Sequence, residues 1–123
     1  MKHRILGLCL ALAMLVIMVV PVAAATHNGT YSMTGGIFYK QGFASGTDLE
    51  ITVMPETGTI DCNMGIYTAK NRTLLGWAGA DYINSVSSVF SSVSEYTTTE
   101  AIDGIYFRNW SGYRWTGSFR VVW

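Results

Sequence analysis

The sequence predicts an all-β fold, a small two-sheet antiparallel sandwich of jelly-roll or immunoglobulin-like type behind an N-terminal signal peptide. Three observations carry this expectation. Apolar residues recur at every second position in several short runs, the period of a strand with one dry face. Clusters of Gly, Asn, Asp, Ser and Pro punctuate those runs where a chain must turn. Beyond residue 25 the sequence is rich in Gly, Ser, Thr and aromatic residues, which favours packed strands over helices.

The first 25 residues stand apart. Lys2, His3 and Arg4 are followed by an uncharged apolar run from Ile5 to Val20. Pro21 breaks the run, and Ala23-Ala24-Ala25 supplies the small side chains that signal peptidase accepts. Residues 1–25 are thus expected to direct export and be removed, placing the product outside the cell or in its envelope. An uncleaved anchor is the alternative, because Ile5 to Ala25 is long enough to cross a bilayer as a helix. Cleavage would take Cys9 with it and leave Cys62 as the single thiol, so no disulfide could form within the product.

Residues 26–123 are expected to form one domain. Thr30 to Met33 and Ile37 to Lys40 read as short strands around Gly35-Gly36. Asp48-Leu49-Glu50-Ile51-Thr52-Val53 alternates cleanly, and Pro55-Glu56-Thr57-Gly58 follows as a turn. Thr59 to Thr68 places Ile60, Cys62, Met64 and Ile66 on one face, which assigns Cys62 to the core. Ala69 to Arg72 reads as a loop and Thr73 to Trp77 as a further strand in a hairpin-like pair. Asp81 to Tyr96 is ambiguous. Val86, Phe90 and Val93 have helical spacing, but the serines and valines around them are poor helix formers, so a loop plus a strand is expected, with a short helix as the alternative. Asp103-Gly104 signals a turn before Ile105 to Arg108, and Asn109-Trp110-Ser111-Gly112 signals another. Phe119, Val121 and Trp123 alternate along the last strand, giving seven or eight strands in total.

Charge and chemistry narrow the function. The whole chain balances 8 basic against 8 acidic residues. Without the signal, Lys40, Lys70, Arg72, Arg108, Arg114 and Arg120 face all eight acids, which leaves no basic field for a nucleic acid. His27 alone survives processing, near a terminus expected to fray, so neither a Ser-His-Asp nor a Cys-His arrangement assembles. Zinc lacks ligands, no phosphate-binding loop occurs, and Asp48 and Glu50 on one strand face read as solvated charges. The product is therefore expected to be noncatalytic and without a cofactor or metal, with a small hydrolase as a third reading.

Two stretches carry a family resemblance. They are Leu49 to Val53 continuing through Gly65 to Leu75, and Asp103-Gly104-Ile105-Tyr106-Phe107-Arg108-Asn109-Trp110-Ser111-Gly112 followed by Gly117 to Val121. Together they resemble the bacterial pre-peptidase C-terminal type of secreted β-sandwich, which is usually appended to hydrolases. The resemblance implies a noncatalytic sandwich that binds or solubilises. The acidic pair frequent on that family's first strand is missing here, so its calcium binding has no residues to fall on.

Aromatic residues are the unusual feature. All 16 lie beyond the signal, and seven fall in the last 18 residues, interleaved with Arg108, Arg114 and Arg120. Strand alternation turns Ile105, Phe107, Phe119 and Val121 inward and Tyr106 and Arg108 outward, with Trp110 and Tyr113 at a hairpin tip. Tyr106, Arg108, Trp110, Tyr113 and Trp115 are the candidate binding residues, suited to a sugar face or a partner surface. The same rings also suit a core that lacks disulfides, with arginine stems covering their edges. The leading expectation is a secreted binding domain for a cell-envelope polysaccharide or another extracellular polymer or protein. The alternative is a self-associating or membrane-active, toxin-like protein.

Overall fold

The computed structural model describes residues 24–73, 76–78 and 81–123, and among these the period-two runs become strands and no helix occurs. The strands are β1 (Thr26–Met33), β2 (Gly36–Phe43), β3 (Asp48–Thr57), β4 (Asn63–Ala69), β5 (Asn71–Thr73), β6 (Gly76–Ala78), β7 (Tyr82–Ser87), β8 (Ser92–Thr97), β9 (Ile102–Asn109) and β10 (Trp115–Val122). The expected signal peptide lies outside the described residues except for Ala24 and Ala25.

Two four-stranded sheets, β1-β10-β3-β8 and β2-β9-β4-β7, make the sandwich. Four antiparallel pairings are nested, β1 with β10, β2 with β9, β3 with β8 and β4 with β7, as in one long ribbon folded at its middle. Rolling the ribbon adds the pairs β10 with β3 and β9 with β4. That pattern is a jelly roll, which decides between the two sandwich types expected. The small β5–β6 ribbon pairs with itself at the fold between β4 and β7. At the other extreme the ribbon's two ends stay together, with Ala25 N donating to Trp123 O at 2.8 Å and Trp123 N to Ala25 O at 2.9 Å.

Alternation fixes the core. Leu49, Ile51 and Val53 of β3, Met64 and Ile66 of β4, Ile105 and Phe107 of β9, and Trp115, Phe119 and Val121 of β10 are all buried between the sheets. Each such side chain removed from water contributes about 1.5–3 kcal/mol. Cys62 is a free thiol, so packing of this kind holds the sheets together.

Several local expectations change. Asp103-Gly104 lies inside β9 and is no turn. Gly104 is required there because the Phe38 ring and the Tyr39 carbonyl occupy the place a Cβ would take. The alternating series beginning at Ile60 starts only at Asn63. Asp61 adopts φ 66°, which breaks the extended backbone, so Ile60 is exposed and Cys62 is half-buried against the core. Asp81 to Tyr96 is neither a helix nor a loop with one strand; it holds β7 and β8, and their serines and valines suit strands. Asn71 and Arg72, expected in a loop, join Thr73 in β5, which pairs with Gly76 to Ala78, so the hairpin is β5–β6 and β4 takes no part in it. The C-terminal hairpin is also absent as such. β9 and β10 belong to different sheets, and residues 110–114 arch between them.

Two measurements test this packing. At Gly58 a Cβ would overlap the Ser88 carbonyl, whereas at Gly42 it would meet nothing within 4 Å. Gly58→Ala should destabilise the fold by about 1–3 kcal/mol in urea unfolding, and Gly42→Ala should stay within about 0.5 kcal/mol of the parent. Burial, with Glu56 nearby, pushes the Tyr31 phenol from 10.0 up to about 12. The unfolded phenol then loses its proton first, so stability holds below pH 10 and declines as the pH rises towards 12. Tyr31→Phe should flatten that decline in an alkaline unfolding series.

Candidate functional site

The jelly roll gathers four connections at one end: residues 34–35, 58–62, 88–91 and 110–114. Hydrogen bonds weld them. Ser88, itself buried, donates from Oγ to the Thr59 carbonyl at 2.6 Å and lies 3.0 Å from that of Cys62. Asn109 donates from its backbone N to Gly35 O at 2.6 Å and from Nδ2 to Met33 O at 3.1 Å and to Tyr113 O. Its Oδ1 accepts from Ser111 N at 2.9 Å and from Ser111 Oγ at 2.7 Å, an Asx-type turn that sets the arch. Asn109 is thus a buried clamp.

On this welded base stand the four most exposed large apolar residues among those described: Ile60 at 74%, Phe90 at 73%, Tyr113 at 70% and Trp110 at 64%. Each comes from one of the connections, with two from the 110–114 arch. Beside them a shallow cleft of about 490 Å³ is lined by Gly58, Thr59, Ile60, Tyr113 and Arg114.

The five predicted residues separate. Trp110 and Tyr113 project into solvent as expected, although from an arch. Arg108 is half-buried, its guanidinium carbon 4.5 Å from the centre of the Trp110 ring and its Nη1 donating to Tyr106 Oη at 3.2 Å. The ring thereby has one face held by a cation. Trp115 does not belong to the surface. It is 1% exposed, and its Nε1 donates to Thr59 Oγ1 at 2.8 Å, because as the first residue of β10 it points between the sheets and fastens the 58–62 turn from beneath.

Tyr106 faces outward as alternation requires, yet it is buried. Phe38, Tyr106, Tyr67 and Tyr82 stand in register across β2, β9, β4 and β7, one ring per strand on the outer face of that sheet. Tyr67 lies 6.4 Å from Tyr106 and 6.0 Å from Tyr82 by ring centres, so the row covers itself. Tyr106 supports Arg108 from within this row.

Ile60 and Phe90 escaped sequence reasoning. The turn expected at Pro55 to Gly58 falls instead at residues 58–62, because β3 runs on to Thr57, and this carries Ile60 into the connection. Phe90 is a lone ring among serines, the mark of another. His27 is likewise not frayed. It lies in β1, stacked on Tyr39 at 4.3 Å and 5.8 Å from Phe119 by ring centres. Among the described residues no group of three His, Cys, Asp or Glu side chains could hold a metal ion. Asp48 accepts from Thr97 Oγ1 at 2.6 Å, and Glu50 stands opposite Glu95, beside a depression of about 480 Å³ lined also by Tyr96 and Trp123.

Comparison with protein-family models, curated proteins and solved structures finds no match, so the resemblance to the pre-peptidase C-terminal sandwich gains no support from them.

Trp110 on the arch and Trp115 at the start of β10 should behave oppositely. Trp115→Phe leaves Thr59 without its indole partner and should cost about 1–3 kcal/mol. Trp110→Ala, at an exposed site, should cost less than about 1 kcal/mol. Thermal unfolding of both variants measures the contrast.

Proposed function

We propose that this chain is an exported, noncatalytic binding module that engages an extracellular or cell-envelope polysaccharide through the turn-bearing end of its jelly roll. The observation that carries the reading is the Trp110 ring, fixed on one side by Arg108 and open to solvent, with Tyr113 beside it on the same arch. A sugar presents a flat face of C–H groups flanked by hydroxyls, and an immobilised indole or phenol ring meets that face with little loss of side-chain freedom. The 490 Å³ cleft next to Tyr113 offers the Thr59 hydroxyl and the Arg114 guanidinium as polar partners. Turn residues welded to a rigid sandwich suit recognition, because the frame holds them in place without ordering on binding.

A bilayer surface is the second reading, favoured by Ile60 and Phe90, whose exposed side chains stand at the same end. Aromatic and aliphatic projections of this kind anchor proteins at the membrane interface.

Sedimentation with insoluble cell-wall material and polysaccharides tests the first reading. The purified protein should pellet, and Trp110→Ala with Tyr113→Ala should abolish pelleting while the thermal midpoint stays within about 5 °C. Retention that survives in the folded double variant removes the turn end from the reading. Flotation with vesicles in place of pelleting establishes the bilayer instead.

A further inference from the structure

The chain segment that supplies the arch carries arginines and no acid, although Asp61 stands on a neighbouring connection. From Gly104 to Trp123 the chain holds Arg108, Arg114 and Arg120 and no acidic residue. Two of these arginines bracket the exposed pair, in the order Arg108, Trp110, Tyr113, Arg114. The carboxylates nearest in sequence to the cleft, Glu56 and Asp61, form no ion pair with either arginine; the ion pair found among the described residues is Lys70 with Glu100, at the opposite end of the sandwich.

Arg108 is the informative member. A guanidinium has five N–H donors in a planar fork. One of them meets Tyr106 Oη at 3.2 Å, while Nε is buried without a hydrogen-bond partner. The group is held by ring contact with Trp110, with no acid opposing it. The buried Nε lies out of a ligand's reach. The half-buried guanidinium is still a cation with no acid opposing it beside an open indole, and a carboxylate at its exposed edge completes that arrangement through charge-assisted hydrogen bonds. Arg114 adds a second positive group on the other side of Tyr113, with its Nη1 donating to Ser32 Oγ at 3.0 Å and its remaining donors unspent.

We infer that the polymer recognised at this end is an acidic glycan whose sugars carry carboxylates, with Trp110 and Tyr113 stacking on the sugar rings and Arg108 and Arg114 meeting the carboxylates. The inference rests on the glycan-binding reading above and adds the chemical class of the ligand.

The experiment compares retention of the purified protein on beads carrying a polyuronate, on beads carrying the same polyuronate with its carboxyls methyl-esterified, and on beads carrying a neutral glucan. Anionic vesicles form a fourth arm. The polyuronate should retain the protein about tenfold more strongly than its ester, the scale of one lost charge-assisted hydrogen bond. Added salt should weaken that retention. Arg108→Gln, which also releases the Trp110 ring, should weaken retention on both, but about tenfold more on the polyuronate than on the ester. Arg108→Lys, which keeps the charge but loses the fork, should fall between.

Arg108 is partly buried, so each variant is checked by thermal unfolding. Where Arg108→Gln fails to fold, the exposed Arg114→Gln and the ester comparison decide the question. Equal retention on all three kinds of bead, unchanged by Arg114→Gln, overturns the acidic-glycan inference and leaves the binding module standing. Retention on none of the beads overturns both, and capture by the vesicles alone assigns the end to a membrane.

Discussion

The packing of β9 against β10 across the interior is the constraint on which the rest of this structure depends. These strands are consecutive in the chain, yet each is an inner strand of a different sheet. Their shared contact is therefore face to face, with the Phe107 and Phe119 rings 4.9 Å apart by centres, in place of a hydrogen-bonded ladder. Had they formed a hairpin, Phe107 and Phe119 would lie side by side on one sheet and the other sheet would lose its central strand. Because they oppose each other, residues 110–114 must climb from one layer to the next. Sheets pack roughly 10 Å apart, and an arch crossing that gap carries its middle residues clear of both. Trp110 and Tyr113 owe their exposure to that crossing.

Much of the fold was legible because burial imposes a simple rule on a strand. In β3 and β10 the apolar positions repeat every second residue, and the structure buries those positions. What the rule leaves out is which strand lies beside which. Period two says that Phe107 and Phe119 face inward, and is silent on whether they share a sheet. The same gap hid the fate of Asp103-Gly104. That pair is a turn former wherever nothing else claims the glycine, but here the Phe38 ring claims it from a strand far away in sequence. Ile60 failed for a local reason, since the left-handed backbone of Asp61 resets the alternation and leaves no trace in side-chain pattern.

The candidate site was legible in part for a related reason. Trp110 and Tyr113 sit between Asn, Ser and Gly, residues that mark a connection, and a ring in a connection has little to be buried against. Trp115 and Tyr106 carry the same chemistry but lie within strands, where the destination is set by tertiary packing. Trp115 went into the core with its indole N–H satisfied by Thr59, and Tyr106 joined a row of rings that no short-range pattern announces. The contribution of Ile60 and Phe90 was invisible for want of the topology, since only the rolled ribbon brings 58–62 and 88–91 beside 110–114.

The nested pairing has one more consequence, in the direction the module faces. Ala25 and Trp123 are bonded to each other at one end of the sandwich, while the four welded connections lie at the other. Whatever is joined to either terminus therefore holds the body by its base. A carrier, a bead or a fused protein attached there would display Trp110 and Tyr113 at the far pole, pointing away from the point of attachment, with the long axis of the sandwich as a spacer.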